Sequence, residues 1–600
     1  MWATPLHRAF RSSLLLRNTI YGSLILLALT TLMYIKTPTS TTSIIPHYTQ
    51  PSEPPRELED VSIAEWVRRS VQVKQAFLHA YRNYERFAAP HDELKPLTQG
   101  KVDNFNGWGV SAFDSLDTML LMNLDDEYTR ALDLVKKVNF KKSEPRFVPF
   151  FETIIRYLGG LLSAYALSKD QILVSRAQDL AKALDPVFNK RTGMPYYSVD
   201  PSSGETLGPQ LGILAEIASL QLEYTYLAKL TKSKHFLSRS QTLMKTLSSA
   251  NLQHTGGMFP IQWNITSGEP FAYRLSVGAQ ADSAHEYLLK LYLLTGKKDK
   301  RSLEMYIRAT THIINNLLYL SPTRHLLYVT DSDMPTFDRA SSTTHIFEHL
   351  SCFLPGLLAL GAHTLPLNNL TRLGINLDVL GNEKLYGHVG KGYHRLKKYN
   401  LKELHMWAAE GLAKTCWITY ADQPTGLGPD EIMMATVHKN VADANGDSYL
   451  WMDALDKWKK SGGHGVIPGL ADHQPIIYTE FERSRGTGKG HDYELRKPGY
   501  LLRPETIESI YLMWRITGDW KWRARGWTIF EAIEKQTKTR YGYASVLSVD
   551  TVPPALSDSM PSYFLAETLK YLYLMFLEDD PVSLDKWVFN TEAHAFPVLV

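Results

Sequence analysis

This sequence has almost no excess of positive over negative residues, few cysteines and few strand-like segments. The 600 residues include 65 Lys and Arg against 62 Asp and Glu, which leaves a formal net charge of +3. No basic patch stands out, so the sequence argues against nucleic-acid binding. Alternation of apolar and polar residues is confined to short stretches such as 324–329. Apolar residues are abundant, at 44% of the chain, which is enough to bury a large core.

An uncharged apolar run at residues 19–35 stands apart from the rest of the chain. Three arginines and a histidine precede it, and only Lys36 follows closely. This asymmetry predicts a cytoplasmic tail at 1–18, a transmembrane signal-anchor at 19–35, a lumenal stem at 36–61 and a lumenal globular domain at 62–600. A cleaved signal peptide is the alternative, but the run is long for one and no clear small-x-small cleavage site follows. We expect a single-pass type II protein of the ER or Golgi membrane.

The two cysteines, Cys352 and Cys416, both lie near apolar or aromatic residues. Disulfides persist in the secretory lumen, and with no other thiol available one intramolecular bridge is the simplest interpretation. Two buried free thiols are the alternative. Asn264 and Asn369 each begin an Asn-x-Thr sequon, which fits the same compartment.

Helical periodicity dominates from about residue 62 onward. Several segments read as helix, short turn, helix, with a Gly ending the first helix at Gly296 and Gly518. We therefore predict an all-α fold, a toroid of antiparallel helix pairs with loops that build a site at one rim. The predicted helices are 62–88, 111–122, 152–168, 171–187, 211–230, 234–249, 281–295, 300–319, 346–361, 401–419, 505–517, 520–536 and 563–577.

Pairs of carboxylates recur on these helices. Asp282 and Glu286 are four residues apart, so they lie on one face of a helix, where like charges cost about 0.2–0.5 kcal/mol even in water. Glu505 and Glu508 repeat the pattern, and Glu152 stands one turn before Arg156. Further carboxylates lie among apolar or aromatic residues at Asp114, Asp117 and Glu567.

Any one of these carboxylates alone would be read as a helix cap or a solvated helix face. Five such sites together indicate glycoside cleavage, which needs an acid for the leaving oxygen, a base for water and a ring face for the sugar.

Seven segments in order carry a resemblance to a known family. They are Phe113-Asp-Ser-Leu-Asp-Thr, Phe151-Glu-Thr-Ile-Ile-Arg-Tyr-Leu-Gly-Gly, Gly278-Ala-Gln-Ala-Asp-Ser-Ala-His-Glu-Tyr-Leu-Leu-Lys, His349-Leu-Ser-Cys-Phe, Leu502-Arg-Pro-Glu-Thr-Ile-Glu-Ser, Phe564-Leu-Ala-Glu-Thr-Leu-Lys-Tyr and Val588-Phe-Asn-Thr-Glu-Ala-His. From about residue 62 to the C-terminus the chain resembles glycoside hydrolase family 47, the class I α-1,2-mannosidases.

The resemblance implies an (α/α)7 barrel of seven helical hairpins with a few short β-hairpins. It also implies a bound Ca²⁺ and the removal, with inversion, of α-1,2-linked mannose from high-mannose N-glycans on glycoproteins by a monomeric catalytic domain. Glu152 resembles the family's general acid, acting through a water, and Asp282 is the other candidate for that role. Glu505 resembles the general base. An inverting enzyme holds its two carboxyl groups roughly 6.5–9.5 Å apart to leave room for water.

The remaining site residues are also implied by the resemblance. Those expected to bind substrate are Asp114, Arg156, Gln280, Glu286, Arg503, Glu508, Tyr563, Glu567 and Glu592. Thr591 matches the calcium ligand of the family. Without the resemblance it would be taken for an ordinary threonine, because Ca²⁺ normally binds several carboxylates. Cys352 and Cys416 match the family's disulfide.

The sequence departs from the family pattern at a few positions. Gln280 stands where ER-type members have Arg and Golgi-type members have Leu, so we expect it to influence the choice of mannose branch. Ala284 and His285 replace two tyrosines, and Asp430 stands where a Gly-Pro-Glu is usual. None of these changes removes a proposed catalytic group.

Two rival functions share these features. One is a glycan-binding, mannosidase-like protein of ER-associated quality control with little turnover, and the other is an inverting hydrolase for a different sugar. The combined presence of Glu152, Asp282, Glu505 and Thr591 favours an active mannosidase.

Overall fold

The computed structural model describes residues 61–600, except 272–273, 334–341, 381, 383, 385–388, 437–448 and 480–490. All described residues belong to one compact unit, residues 54–600. The predicted tail and anchor, and the predicted stem as far as residue 60, lie outside the described residues. Within the described part, no single helix is long and apolar enough to cross a membrane, although one bent pair, His349–Thr364 and Leu367–Leu373, has the necessary length and composition.

Fourteen of the described helices form seven pairs, which are six consecutive hairpins and one pair made by the first and last helices. They are α1 (Ile63–Phe87), α2 (Val110–Leu121), α3 (Asp125–Lys137), α4 (Gly159–Ser168), α5 (Gln171–Leu184), α6 (Gln221–Thr231), α7 (Lys234–Ser249), α8 (Asp282–Leu294), α9 (Lys300–Asn316), α10 (Leu354–Thr364), α11 (Leu401–Ala421), α12 (Glu505–Thr517), α13 (Trp520–Gln536) and α14 (Leu569–Phe576). Each even-numbered helix packs on the next odd-numbered one, and α14 packs on α1.

The even-numbered helices also contact one another in succession, from α2 through α4, α6, α8, α10 and α12 to α14. The segment Phe564–Thr568, which leads into α14, contacts α2. These helices are the more deeply buried set: in α8 every residue from Ser283 to Leu294 is buried. A helix that is buried on all sides belongs in the core of a protein, so we call the even-numbered helices the inner helices and the odd-numbered ones the outer helices.

The outer helices are amphipathic and mostly capped. In α3, for example, Ala131, Leu132 and Val135 face inward, while acidic residues open the helix and lysines close it. Side chains of Ser62, Asp170, Ser233, Asp299, Asn400 and Asp519 cap the N-termini of α1, α5, α7, α9, α11 and α13. The inner helices have no side-chain N-cap of this kind.

Shorter helical segments lie between the hairpins. They are α-helical at Phe150–Glu152, Leu214–Ile217, Leu377–Leu380, Val389–Leu396 and Trp451–Lys460, 3₁₀ at Asp185–Val187, His349–Phe353 and Leu367–Leu373, and π at Thr153–Leu158 and Phe564–Thr568.

The strands in the described residues are two to five residues long and form antiparallel sheets of two or three strands. Their bounds are Glu93–Lys95, Gly100–Val102, Val148–Pro149, Ser198–Val199, Thr206–Leu207, Leu211–Ile213, Gln262–Asn264, Arg274–Leu275, Leu318–Leu320, Leu327–Val329, Ser332–Asp333, Ser342–Thr343, Ile346–Glu348, Glu431–Met434, Tyr493–Lys497, Lys538–Thr539, Gly542–Tyr543, Ser545–Val546, Leu556–Ser557, Trp587–Phe589 and Ala595–Pro597.

The helix-rich fold agrees with the predicted class, but some predicted bounds were wrong. The predicted helix 211–230 is a strand, a short helix and then α6, and the predicted helix 346–361 begins with a strand. Both segments start with apolar residues that pair in small sheets, and periodicity cannot separate a short buried strand from the first turn of a helix. The helices Asp125–Lys137 and Trp451–Lys460 were missed.

Candidate functional site

The predicted site residues gather at the N-terminal ends of the inner helices. Asp282 and Glu505 are the first residues of α8 and α12, and Glu508 lies in the first turn of α12. Arg156 and Glu567 lie in the π-helical segments just before α4 and α14. Because inner helix N-termini carry free N–H groups and a positive dipole, they suit a site rich in carboxylates.

Glu505 is held by a buried imidazole. Nδ1 of His349 lies 2.8 Å from Oε2 of Glu505, and its Nε2 lies 2.6 Å from the hydroxyl of Tyr420. Burial alone would raise the pKa of Glu505, but the hydrogen bond and charge of His349, and the charge of Arg503, lower it below its usual value. Glu505 therefore stays ionised and keeps a lone pair free for a proton.

Arg156 connects three carboxylates. Its Nε donates to Oε2 of Glu152 at 2.8 Å, its NH1 group contacts Glu592, and the same NH1 lies 3.7 Å from Oδ2 of Asp114. Burial would lower the pKa of Arg156, but the charges of Glu592 and Glu152 raise it well above its usual value. Glu152 keeps 33% of its side chain exposed, so water reaches it.

Asp282 has a different environment from Glu152. Its Oδ1 accepts a hydrogen bond from the backbone N–H of Ser283 at 2.7 Å. Burial, and then the negative charges of Glu286 and Glu505, raise the pKa of Asp282 to about 8. Asp282 therefore holds its proton at neutral pH.

Lys290 offsets part of the negative charge at the site. It contacts Glu286, one turn earlier on α8, and lies 3.6 Å from Oε1 of Glu508. Burial would lower the pKa of Lys290, but the charges of Glu286 and Glu508 raise it. One lysine cannot neutralise both carboxylates, and burial raises the pKa of Glu508 despite Lys290.

Glu567 and Glu592 are the most strongly perturbed carboxyls of the site. Burial raises the pKa of both well above the usual value, and for Glu567 the charges of Glu592 and Glu505 add to the effect. Perturbed carboxyls cluster where a protein binds or transforms a ligand. A bound cation or a set of sugar hydroxyls would stabilise the ionised forms.

Arg503 and Tyr563 form another wall of the site. Nε of Arg503 donates to Oδ1 of Asp430 at 2.7 Å, and its guanidinium carbon lies 6.0 Å from the ring centre of Tyr563. The Tyr563 hydroxyl donates to the carbonyl of Leu501 at 2.7 Å, so the ring orientation is fixed. Asp430 thus supplies the carboxylate that pairs with Arg503, although it stands where the family pattern has another residue.

Two residues beside the site have left-handed backbone conformations without being glycine. Leu502, which precedes Arg503, has φ +63°, and Ala593, which follows Glu592, has φ +57°. The Leu502 carbonyl accepts from the Thr568 hydroxyl at 2.7 Å, and the Ala593 carbonyl accepts from Lys570 at 2.7 Å. Such strained positions persist where surrounding contacts hold them, and they are common at functional sites.

Thr591 lies in the turn between the last two strands. Oδ1 of Asn590 accepts from the backbone N–H groups of Glu592 at 2.9 Å and His594 at 2.8 Å, which shapes this turn. The backbone N–H of Thr591 donates to the Tyr287 hydroxyl of α8, so the turn packs against the helix that carries Asp282.

The donor set at this turn suits a hard cation. The hydroxyl and carbonyl of Thr591 are oxygen donors, as Ca²⁺ prefers, and the neighbouring carboxylates carry more negative charge than the cations beside them offset. Within the described residues, no group of three or more His, Cys, Asp or Glu side chains is arranged to hold a metal ion. A cation here would therefore take few protein ligands.

The other predicted residues lie at the surface or in the core. The side chain of Gln280 is exposed just before α8, and Asn369 is exposed in a 3₁₀ segment. Asn264 is half-buried at the end of a strand, and its Oδ1 accepts from the N–H of Thr266 at 2.9 Å. Cys352 and Cys416 form a disulfide with their Cα atoms 6.0 Å apart, so the structure contains the bridge rather than two free thiols.

Sequence reasoning missed several polar partners in the site. His349 holds Glu505 and is itself held by Tyr420, Lys290 pairs with Glu286, and Ser562 donates to Asp114. The partners of Glu505 and Asp114 are more than 70 residues away in sequence, so no local pattern could have identified them. Lys290 was the exception, because its i, i+4 spacing from Glu286 was visible.

Comparison with known proteins gives a consistent result. Residues 76–598, which include every predicted site residue, match Glycosyl hydrolase family 47. The chain is 34% identical over 556 residues to Mannosyl-oligosaccharide 1,2-alpha-mannosidase MNS3 of Arabidopsis thaliana, covering 89% of this chain and 80% of that protein. It is 33% identical over 540 residues to the Endoplasmic reticulum mannosyl-oligosaccharide 1,2-alpha-mannosidase of Mus musculus, covering 88% and 68%. Among solved structures, an alpha-1,2-mannosidase from Trichoderma reesei matches with a TM-score of 0.69 and 28% identity, covering 89% of this chain and 99% of that one.

Proposed function

Because the chain belongs to glycosyl hydrolase family 47 and is a glycosidase, we propose that it is a calcium-dependent, inverting exo-α-1,2-mannosidase. Its substrates are the terminal α-1,2-linked mannoses of high-mannose N-glycans. The names of the relatives support the sugar and the linkage. The ionised, clamped Glu505 among convergent carboxyls supports catalysis over glycan binding alone, since a lectin-like site needs no base.

Glu505 is the general base of the proposed mechanism. His349 fixes one carboxylate oxygen at 2.8 Å and Arg503 adds a positive charge, so the carboxylate stays ionised below neutral pH. Its free lone pairs take a proton from the attacking water as that water approaches the sugar. Inversion follows if this water and the proton donor act from opposite faces of the ring.

The proton for the leaving oxygen comes from Glu152 or Asp282, and each has one supporting argument. Glu152 is reachable by water and so can pass a proton through a water molecule, and its Oε2 accepts a hydrogen bond from Arg156. Asp282 holds a proton at neutral pH, because burial raises its pKa to about 8. The acid is the residue whose amide variant loses the alkaline limb of the pH profile, since an acid must be protonated to act.

Calcium is proposed to be held by the hydroxyl and backbone carbonyl of Thr591, with sugar hydroxyls and waters completing its shell. When bound, it would supply positive charge that orients the hydroxyls of the terminal mannose and offsets the crowded carboxylates. The crowding of buried carboxyls beside this turn supports the assignment, because a cation there would offset negative charge that Arg156 and Lys290 leave uncompensated.

We propose that the seven helix pairs close into an (α/α)7 barrel. Contacts that run from α2 through the successive inner helices to α14, and from the segment before α14 back to α2, support closure. The membrane anchor, type II topology, residence in the ER or Golgi, use of both sequons and a monomeric state remain proposals. The disulfide and the exposed Asn369 suit the secretory lumen.

A time course on a nine-mannose N-glycan, with product isomers resolved, tests this function. We expect stepwise loss of α-1,2-linked mannoses only, and no release in the Glu505→Gln variant. A matched control is Glu410→Gln on outer helix α11, where the glutamate pairs with Lys414 away from the described site. Tight glycan binding without release by the wild-type protein would favour the quality-control alternative. Release of another sugar from other substrates would favour the second rival.

A further inference from the structure

Four buried charged residues lie directly behind the candidate site. Asp114 and Asp117 of α2, Lys570 of α14 and His594 of the C-terminal turn all have fully buried side chains. Of these, only Asp114 was predicted from the sequence to belong to the site, and it lies 3.7 Å from Arg156. Burying charge is costly unless each group is paired, so this arrangement calls for a physical explanation.

His594 bridges the two aspartates. Its Nε2 lies 3.2 Å from Oδ1 of Asp114, and its Nδ1 lies 3.0 Å from Oδ2 of Asp117. Ionised carboxylates can only accept hydrogen bonds, so both ring nitrogens must carry a proton for both contacts to be hydrogen bonds. Burial would lower the pKa of His594, but the charge of Asp117 and the bonds to both aspartates raise it.

The two aspartates outweigh the opposing positive charge of Lys570 and favour the doubly protonated ring. Lys570 donates to Oδ2 of Asp117 at 2.9 Å, and Ser163 donates to the same oxygen at 2.7 Å. Burial would raise the pKa of Asp117, but the charges of Lys570 and His594 hold it below its usual value. The ionisable groups that face the imidazole are Asp114, Asp117, Lys570 and, more distantly, Glu223 of α6.

Two glycines make room for the ring. A Cβ on Gly159 would lie 2.8 Å from Cδ2 of His594, and one on Gly160 would lie 3.5 Å from its Cε1 and 2.4 Å from the carbonyl of Phe113. The imidazole therefore packs against the backbone at the start of α4. The π-helical segment that carries Arg156 ends at Leu158, immediately before these glycines.

Asp114 connects this buried group to the site. Its Oδ2 accepts from the hydroxyl of Ser562 and lies 3.7 Å from NH1 of Arg156, whose Nε holds Glu152 at 2.8 Å. Without a positive charge on His594, the Asp114 carboxylate would attract Arg156 more strongly. Arg156 would then hold Glu152 less firmly.

We propose that His594 is a positioning residue, a doubly protonated imidazole that fixes Asp114 and, through Asp114, the Arg156 guanidinium that holds Glu152. His594 does not touch the substrate. The inference rests on the proposed mannosidase function, since it assigns a support to a carboxyl group of that reaction.

The test is the pH profile of mannose release by His594→Gln. Glutamine is neutral, and its amide can donate to only one of the two aspartates. Because the variant removes positive charge beside the site, we expect the alkaline limb of the profile to move up by about half a pH unit or more. We expect kcat to fall about tenfold and KM to change less than about threefold. The variant disturbs the position of Glu152 and leaves the contacts that bind the sugar in place.

Asp117→Asn is the second variant, and its pH profile tests the proposal if His594→Gln does not fold. It keeps the imidazole but removes one of its two anionic partners, so we expect a smaller shift of the same limb in the same direction. The control is His405→Gln on α11, a buried histidine whose pKa burial lowers to about 4, so that no charge is lost. Both limbs of its profile should match those of the wild type.

The inference is overturned if wild-type protein releases mannose and neither limb moves in the variants that fold, even if their yield or melting temperature is lower. A wild-type protein that releases no mannose would instead contradict the proposed function. The two failures are therefore distinguishable.

Discussion

At the level of single residues, Glu505 carries the most specific chemical assignment. Its carboxylate is fixed by His349 and is ionised, which is what a base that activates water requires. Glu505→Gln keeps the size of the side chain but cannot take a proton, so we expect kcat to fall by about 10²–10⁴-fold with little change in glycan binding. Steady-state kinetics and a binding assay measure the two effects, and activity within tenfold of wild type would contradict the assignment.

Asp282 allows a test of electrostatics that is separate from catalysis. Its pKa of about 8 in the folded protein lies above the unfolded value of about 3.9, so the folded state binds more protons between these pH values. The free energy of unfolding must then fall as the pH rises through this window. Asparagine takes up no proton, so we expect the stability of Asp282→Asn to fall less than that of wild type between pH 5 and pH 8.

Urea denaturation at the two pH values, in chelator so that no bound cation offsets the carboxylates, gives the comparison. Asp133→Asn on α3 is the control, because that aspartate is exposed and pairs with the partly exposed Lys136. An equal fall in stability for wild type and Asp282→Asn would show that Asp282 is ionised throughout.

At the level of structural elements, the disulfide links the segment that carries His349, the partner of the base, to the helix that carries Tyr420, the partner of His349. It joins the 3₁₀ segment His349–Phe353 to α11, which carries Tyr420. The cysteines are 64 residues apart, for which loop-closure entropy predicts a stabilisation of about 4 kcal/mol. We expect the double variant Cys352→Ala, Cys416→Ala to lose about 2–4 kcal/mol of unfolding free energy, because part of this effect is offset by structure in the unfolded chain.

Chemical denaturation with and without reductant provides the internal control. Reductant should destabilise the wild-type protein and leave the double variant unchanged. A loss below about 1 kcal/mol in the double variant would mean that packing alone holds the two elements together.

The helices and the π-helical segments of the site differ in how far the sequence could predict them. Periodicity located α8 and α12, because long apolar helices have a strong repeat, and it placed Asp282 and Glu505 at their starts. It could not predict the π-helical segments around Arg156 and Glu567, since tertiary packing sets that hydrogen-bonding pattern. It also could not predict that His349 meets Glu505, because 156 residues separate them.

At the level of the whole molecule, the crowded carboxylates predict a dependence on calcium. We expect EDTA to eliminate mannose release and Ca²⁺ to restore it better than Mg²⁺, which demands octahedral geometry and retains its waters. The melting temperature should rise with Ca²⁺ concentration in the wild type, as ligand binding to the folded state requires, and less in Thr591→Ala. Thr364→Ala, at the end of α10, is a matched control. Full activity after dialysis into excess chelator would contradict the calcium assignment.

The most direct test of the account is the anomeric configuration of the released mannose. Proton NMR during the first minutes of hydrolysis distinguishes the two anomers before mutarotation mixes them. An inverting enzyme with Glu505 as base must release β-mannose from an α-1,2 linkage, and we expect the β signal to appear first. Initial release of α-mannose would require a covalent glycosyl-enzyme and a carboxylate nucleophile, and it would contradict the mechanism proposed here.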